Sequence, residues 1–365
     1  MKKTNVFIVG GHFTPALGVY EEIKDSNTLN IYYIGVKHTI LFDKSFSKEY
    51  EFCKNNNIKF LPLYTGKIYR YLSLESLISF IRIPLGFIQS FFYILKYKPN
   101  IIVTFGSYVS VPVIISAKLL NIKILSHIQT IKPGIADKIS FKMSDKIFIS
   151  WKESEEYIKN KNKIIYSGNI LRKEIFKYKS EHIHFENNNP IIYITGGNQG
   201  SHLINTFIFN NIEKLLEKYN LIHQIGSNTI YDDFTKAISI KNSLSHENSS
   251  KYLIYKGIWD NEIGEVLNIS NIIVGRSGAN TVYEILALNK KAIFIPLEIG
   301  DKGDQIYNAK MAQNYSNNIH IIKEKDLTFN NFSELIEKLL KNNTDIKEIL
   351  PKDAALIISK EISQE

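Results

Sequence analysis

At two places in this chain an apolar run short enough for a buried strand ends in paired glycines and passes straight into a helical pattern. The first is Asn5 to Val9, then Gly10-Gly11-His12, then Ala16, Leu17 and Ile23. The second is Pro190 to Thr195, then Gly196-Gly197-Asn198-Gln199-Gly200, then a helix over His202 to Tyr219. Strand, glycine turn, helix is how a parallel α/β unit begins, because parallel strands need a crossover and glycines let the backbone turn sharply between elements. The order recurs within each half. Leu29 to Gly35, Ile101 to Phe105, Ile122 to His127 and Ile164 to Tyr166 read as strands, with Val109 to Leu120 as a helix. Ile222 to Ile225, Tyr252 to Tyr255, Ile272 to Val274 and Ala292 to Pro296 continue the pattern in the second half. The fold class expected is α/β, with two Rossmann-like domains of parallel strands and right-handed crossovers facing each other across a cleft. The halves share a plan but no fixed-period repeat, which excludes a solenoid.

The length agrees with this division: 365 residues at roughly 100 to 200 per domain suggest two. The polar stretch between Tyr166 and Pro190 is the expected linker. With 44% hydrophobic and 22% charged residues, the chain can bury a sizeable core, and disordered and collagen-like classes are excluded. A formal charge of +9 suits an anionic partner, whether phosphorylated substrate, nucleic acid or acidic membrane. No basic stripe interleaved with aromatics and no nucleic-acid module occurs, so no nucleic-acid partner is expected. The single cysteine, Cys53, excludes an internal disulfide and points to a reducing cytosol. Met1 to Tyr20 imitates a signal peptide, but Gly10, Gly11, His12 and Pro15 interrupt it, and it reads as structure. No uninterrupted apolar stretch reaches the about 18 residues that a membrane span needs.

Ligands of doubly wound sheets sit outside the carboxyl ends of the strands, so the glycine turns are where chemistry is sought. His12 at the first turn is a candidate general base, since imidazole titrates near neutral pH; the alternative is a histidine that only caps its helix. No Gly-x-Gly-x-x-Gly can be written, which weakens a dinucleotide reading. At the second turn the glycines allow close approach of phosphate, with Asn198 and Gln199 as side-chain donors. A third cluster, Arg276-Ser277-Gly278-Ala279-Asn280-Thr281, follows a strand and opens a helix, with Glu284 just beyond. A carboxylate there can accept ribose hydroxyls while N–H groups hold phosphate; the alternative is that Glu284 only stabilises its own helix dipole. Asp301 and Asp304, with Gln305 and Asn308, form a polar loop. Two carboxylates without a third ligand are not a cation cage, and no metal is expected.

The segment Tyr71 to Lys98 carries two apolar stripes. Leu74, Leu77, Ile78 and Ile81 begin a helix, and Pro84 is expected to start a new one in which Leu85, Ile88, Phe92 and Leu95 form the core stripe. Phe87, Phe91 and Ile94 form a second stripe, flanked by Lys67, Arg70, Arg82, Lys96 and Lys98. Either the helix is buried all round, or that second stripe with Arg82 meets an anionic membrane surface.

With these residues placed, the chain resembles the MurG family of UDP-N-acetylglucosamine transferases over nearly its whole length. The resemblance is carried by Gly10-Gly11-His12 with Pro15-Ala16-Leu17, Phe105-Gly106-Ser107-Tyr108-Val109-Ser110 with Pro112, His127, Gln129, Pro133-Gly134, and Gly168-Asn169 with Arg172. It continues through Thr195-Gly196-Gly197 with Gln199-Gly200, His223-Gln224 with Gly226, Arg276-Ser277-Gly278-Ala279 with Thr281 and Glu284, and Gln305 with Asn308-Ala309. It implies the GT-B architecture: an acceptor- and membrane-binding domain over 1–167, a UDP-sugar-binding domain over 168–345, and a C-terminal helix over 346–365 returning to the first. It implies no cofactor or metal, and transfer of N-acetylglucosamine from UDP-N-acetylglucosamine to a polyprenyl-diphosphate-linked muramyl-peptide at the cytoplasmic membrane face. On the donor side Glu284, with Thr281 nearby, would bind the ribose and Ile258 the uracil through its backbone. Arg172, Asn198, Gln199 and the Ser277-Gly278-Ala279 turn would hold the diphosphate, and Gln305 the sugar. On the acceptor side Gly10, Gly11, His12, Tyr108, Gln129 and Thr130 would face the diphosphate and the hydroxyl. The chain departs from the family in its short first loop, where Gly-Gly-Thr-Gly-Gly-His is usual, and in Ile128 and Thr130, where His-Glu-Gln-Asn is common. Asn198 stands where the family generally has Ser.

Overall fold

The computed structural model describes residues 3–38, 46–67, 74–176, 182–258, 260–298, 303–342 and 347–364; Arg70, Tyr71 and Asp301 lie outside them. The chain divides into two compact units, one of Met1–Leu171 with Pro351–Glu365, the other of Arg172–Leu350.

The first unit is built on a wholly parallel sheet of β1 (Thr4–Val9), β2 (Leu29–Gly35), β3 (Lys59–Pro62), β4 (Ile101–Thr104), β5 (Lys123–Ile128), β6 (Lys146–Ile149) and β7 (Ile164–Tyr166), in the order β3-β2-β1-β4-β5-β6-β7. The apolar run of β1 is continuous because both its faces are covered. Val6 and Ile8 join a core with Val19, Ile23, Ile358 and Ile362, while Phe7 and Val9 join one with Ile94, Val113 and Ile114. The last helix, Ala354–Ser363, lies against the first, Phe13–Ile23. Two fully buried isoleucines, Ile358 and Ile362, fix it at about 1.5–3 kcal/mol each, and Glu361 takes Lys123 at 3.2 Å and Lys146 at 2.7 Å from the sheet.

The second unit repeats the plan with β8 (Ile191–Thr195), β9 (Asn220–Gln224), β10 (Tyr252–Tyr255), β11 (Ile272–Gly275), β12 (Lys291–Phe294) and β13 (Ile319–Ile321), also all parallel, in the order β10-β9-β8-β11-β12-β13. In each sheet the order reverses beside the unit's first strand, between β1 and β4 and between β8 and β11. Crossovers leave such a point toward opposite faces, which opens a crevice at the carboxyl ends. The topology therefore sets Gly10-Gly11 beside Gly106, and the 196–200 turn beside Arg276-Ser277-Gly278.

Two expectations about helices are corrected. The helix expected over His202 to Tyr219 is two, His202–Asn210 and Ile212–Leu216, because Asn211 leaves helical geometry and its amide donates to Phe207 O at 2.8 Å, competing with the backbone ladder. The helix Leu74–Tyr97 runs unbroken through Pro84. The missing N–H is on the exposed side, where solvent can satisfy the Phe80 carbonyl.

The two stripes of that helix are also reversed. Ile94, assigned to the membrane, is 2% exposed and belongs to the core, and Phe87 is half-buried. Leu85, Ile88, Phe92 and Leu95, assigned to the core, are exposed together with Leu77, Phe80 and Ile81. Phe91 sits at the border between the faces and Arg82 is half-buried. The reason lies in the small residues. A Cβ on Gly86 would stand 2.6 Å from Thr65, and Ser90 Oγ donates to Pro112 O at 3.0 Å and meets Ser116 Oγ at 2.9 Å. Only the face carrying Gly86 and Ser90 can approach its neighbours this closely. By length and composition Leu77–Tyr97 is also long and apolar enough to cross a membrane.

Candidate active site

In the second unit the turn after β8 is held from below. Tyr193 OH donates to Gln224 Oε1 at 2.9 Å, and Gln224 Nε2 donates to Gly197 O at 3.1 Å, so a buried chain of bonds runs from the sheet to the turn. Burial pushes the Tyr193 phenol up to about 12, which keeps it a donor. A side chain at Gly200 is excluded outright: φ is +82° and a Cβ would stand 2.0 Å from Ile225 O. The N–H groups of Ser227 and Asn228 bond the carbonyls of Asn198 and Gln199 at 2.9 and 3.1 Å, which leaves both side-chain amides exposed at the crest. Tyr193 and Gln224 are the parts of this assembly that reading the turn alone does not reveal, since their partnership depends on β8 lying beside β9.

Beside it, after β11, Gly278 caps the helix Ala279–Ala287 without any side-chain cap, and a Cβ there would meet nothing within 4 Å. A helix N-terminus over open space, with its positive dipole end outward, suits an anion. Thr281 is half-buried in the first turn. Ser277 is buried and donates to Gln305 O at 2.8 Å; the Gln305 side-chain oxygen accepts Leu297 N–H at 3.1 Å, and Asn308 donates to Ser277 O at 3.1 Å. These polar side chains fasten the Ser277 turn to the loop after β12. Arg276 is a second fastener, bonding Ile295 O, Ser201 Oγ and Glu324.

Glu284 and Arg172, expected at the ribose and the diphosphate, are bonded to one another. Arg172 Nε donates to Oε1 at 2.8 Å and Nη2 to Oε2 at 2.7 Å, a bidentate fork with Glu284 only 6% exposed. Burial works against the Arg172 charge, but the carboxylate outweighs it and the guanidinium pKa is raised. The fork uses one lone pair of each carboxylate oxygen, and Nη1 takes no part in it, so the pair retains acceptors for hydroxyls and a donor for phosphate. Ile258 is buried in the segment after β10.

In the first unit His12 is the N-cap of Phe13–Ile23, yet its side chain makes no capping bond, which excludes the capping alternative. The residue keeps an exposed edge, while the protein packed around it takes water from the ring. Loss of hydration lowers its pKa below the ordinary 6.5, opposed by the nearby carboxylate of Asp137. Asp137 was not anticipated; its Oδ2 accepts Gly134 N–H at 2.8 Å and Thr130 Oγ1 at 3.4 Å. Tyr108 is half-buried beside the turn after β4, where Gly106 and Ser107 both have positive φ. Gln129 is 6% exposed, and its Nε2 has no partner among the described residues. His127 beneath is fully buried and pushed down to about 4 by desolvation.

Both glycine amides of the Gly10-Gly11 turn, expected to face the acceptor diphosphate, are committed within the unit, while the helix start after His12 has no side-chain cap. Gly10 N–H bonds Ile34 O at 2.7 Å, closing β1 onto β2, and Gly11 N–H bonds the Glu49 carboxylate at 3.1 Å. Among the described residues no three His, Cys, Asp or Glu side chains group as metal ligands would.

Comparison with known families gives this architecture its class. Residues 9–149 match the glycosyltransferase family 28 N-terminal domain and residues 191–364 the glycosyltransferase family 28 C-terminal domain, which together define a glycosyltransferase. The UDP-N-acetylglucosamine–N-acetylmuramyl-(pentapeptide) pyrophosphoryl-undecaprenol N-acetylglucosamine transferase of Borreliella burgdorferi is 35% identical over 344 residues, covering 93% of this chain and 88% of its own. The chain belongs to the MurG family within glycosyltransferase family 28. Among solved structures, MurG of Acinetobacter baumannii superimposes with a TM-score of 0.71 at 18% identity, covering 99% of this chain and 100% of its own. UDP-GlcNAc 2-epimerase of Methanocaldococcus jannaschii does so at 0.63 and 14% identity, with full coverage of both chains, and shares the fold.

Proposed function

We propose that the chain transfers N-acetylglucosamine from UDP-N-acetylglucosamine to an N-acetylmuramyl-peptide carried on a polyprenyl diphosphate, with inversion, while docked on an anionic membrane surface. The observation that carries the reading is family membership over both domains, joined in the second unit to an uncapped helix start beside a buried Arg172–Glu284 fork. In the reaction the acceptor hydroxyl attacks the anomeric carbon. A new glycosidic bond forms, the bond to the diphosphate breaks, its electron pair leaves with UDP, and the hydroxyl proton passes to His12. An imidazole with a lowered pKa is neutral at pH 7 and ready to accept that proton. Donors fixed before the reaction stabilise the departing diphosphate without reorganising: the first turn of Ala279–Ala287, Arg172, and the Asn198 and Gln199 amides. Glu284 takes the ribose hydroxyls.

The membrane part of the proposal is supported by the exposed row Leu77, Phe80, Ile81, Leu85, Ile88, Phe92 and Leu95, with Arg82 and Lys96 on the same helix. Such a face lies in a headgroup boundary at the depth its apolar side chains reach. The test is purified chain with labelled UDP-N-acetylglucosamine and a short-chain lipid-linked muramyl-peptide, the product being identified by mass. A disaccharide product supports the reading. Transfer only to other glycolipids, or conversion of the UDP-sugar with no acceptor present, rejects it.

A further inference from the structure

The Asn198–Gln199 crest is braced by the segment that follows β9. Ser227 N–H and Oγ both donate to Asn198 O, at 2.9 and 3.1 Å, and Asn228 N–H donates to Gln199 O at 3.1 Å. The brace begins where two glycines touch: Gly226 has φ +100°, and a Cβ on it would stand 2.2 Å from Gly200 N. From Ser227 to Asp232 every residue is exposed, so the course of this loop is set at its two ends. Its far end is Asp233, the first residue of the helix Asp233–Ser243 and only 6% exposed. Both carboxylate oxygens are taken by the helix His202–Asn210, which the glycine turn opens. His202 Nδ1 meets Oδ1 at 2.8 Å, and Asn205 Nδ2 donates to Oδ2 at 2.8 Å. A carboxylate only accepts, so Nδ1 carries the proton of that bond. Tyr231, from the loop, stacks its ring on His202 with centroids 3.9 Å apart and planes 9° from parallel.

The pin is itself held from the sheet. Asn205, 1% exposed, also donates to Ile225 O at 3.1 Å, which leaves its side-chain oxygen to accept His223 Nε2 at 3.1 Å; His223 Nδ1 then accepts the Tyr252 hydroxyl at 2.9 Å. Desolvation keeps His223 neutral, with one donor and one acceptor nitrogen, so donors and acceptors match along the row from β10 to Asp233. A satisfied buried row of this kind makes rigid what it holds. The bonds close a circuit: from the crest along its own helix to His202 and Asn205, across to Asp233, and back through the loop to the crest. We propose that His202 and Asp233 are positioning residues that close this circuit and so aim the Asn198 and Gln199 amides at the diphosphate of the nucleotide-sugar. The assignment rests on the donor-site reading above and adds to it residues that act through the crest.

The experiment is calorimetric binding of UDP, and of uridine, which has the base and ribose but no phosphate, to the full chain and its variants. His202→Leu is expected to weaken UDP about tenfold, the worth of one hydrogen bond to a charged group, and to leave uridine within about twofold of wild type. Asparagine offers an amide N–H near the place of Nδ1, so His202→Asn should recover most of the lost affinity. In a chain already carrying Asn198→Ala and Gln199→Ala, adding His202→Leu should change UDP affinity by less than about twofold, because the groups it aims are gone. Wild-type UDP affinity in His202→Leu, an equal loss of UDP and uridine, or a full tenfold loss in the Asn198, Gln199 background overturns the proposal. Should His202→Leu fail to fold, Asp233→Asn, which sets an amide against Asn205 Nδ2, puts the same comparison of UDP with uridine. A wild-type chain that binds no UDP sinks the donor-site reading and this assignment together. A wild type that binds UDP no better than His202→Leu sinks this assignment alone.

Discussion

Replacing Glu284 with Gln removes one charge from a pair that the second unit holds nearly out of water. Two bonds of 2.8 and 2.7 Å are involved, and the side chains of Arg172 and Glu284 are 30% and 8% exposed. Breaking a fully buried pair from one side costs about 3–5 kcal/mol, most of it the stranded partner. Arg172 recovers some hydration through its exposed third, which brings the expected loss to about 2 kcal/mol. In a unit of this size each kcal/mol moves the midpoint by about 2–4 °C, so its melting transition should fall by about 4–8 °C. The nucleotide should suffer as well, since losing hydrogen bonds to a charged acceptor weakens UDP by tenfold or more. Calorimetric scanning and UDP titration of wild type, Glu284→Gln, Arg172→Met and the double variant complete the cycle. The double variant should be more stable than Glu284→Gln, because no uncompensated charge remains, and should bind UDP no better. If Glu284→Gln melts like wild type and binds UDP equally well, the fork is a surface contact without energetic weight and the ribose assignment is lost.

His12→Ala should reduce turnover by about a hundred- to ten-thousand-fold with UDP affinity preserved, and because the imidazole pKa is lowered from 6.5, the acidic limb of the wild-type rate profile should lie below pH 6.5; a limb at or above that value excludes His12 as the base. Acid should destabilise both units. His127 and His223 are held neutral, pushed by desolvation to about 4 and about 3, whereas the unfolded chain takes up those protons near 6.5. Stability is therefore lost as pH falls from 6.5 toward the folded values, at about 1.4 kcal/mol per pH unit for each histidine, and urea midpoints that stay flat between pH 6.5 and 5 would refute this. On the helix Leu74–Tyr97, the combined change Phe80→Ser, Ile88→Ser and Phe92→Ser should cut sedimentation with anionic vesicles about a hundredfold. Ile94→Ala should instead cost about 2–5 kcal/mol of stability and leave vesicle binding intact; the reverse pattern would restore the assignment of faces read from the sequence.

The contrast between Ile94 and Ile88 shows where sequence reading reaches its limit. Both stripes of that helix are apolar at helical spacing, and period alone cannot say which is inward. What decides is the company of Gly86 and Ser90, small enough for Thr65, Pro112 and Ser116 to close on them. Strand placement, by contrast, was legible because buried parallel strands must be continuously apolar and their ends are punctuated by glycine. Three short strands, β3, β6 and β13, were not read from the sequence. At the site, Arg172 and Glu284 were identifiable one by one, but their mutual fork was not, since it joins positions 112 apart in sequence. Glu49 and Asp137 carried no local signal: their partners are the backbone of Gly11 and of Gly134, and a carboxylate that bonds backbone looks in sequence like any surface acid.

The two units show why a strand order locates a site without saying what enters it. Each sheet opens a crevice beside its first strand, and each lines that crevice with glycine turns. In the second unit the buried carboxylate is neutralised by Arg172 and the neighbouring helix start stands uncapped beside Gly278, so the net field favours an anion such as a diphosphate. In the first unit the helix start at His12 is likewise without a side-chain cap, but the Gly10 and Gly11 amides are spent on Ile34 and Glu49, and the carboxylates of Glu49 and Asp137 stand beside it, so the positive end of that helix is partly offset. In the proposed reaction the groups that meet the leaving diphosphate have to absorb negative charge, while the Asp137 carboxylate, which opposes the lowering of the His12 pKa, helps the imidazole hold the proton it takes from the acceptor hydroxyl.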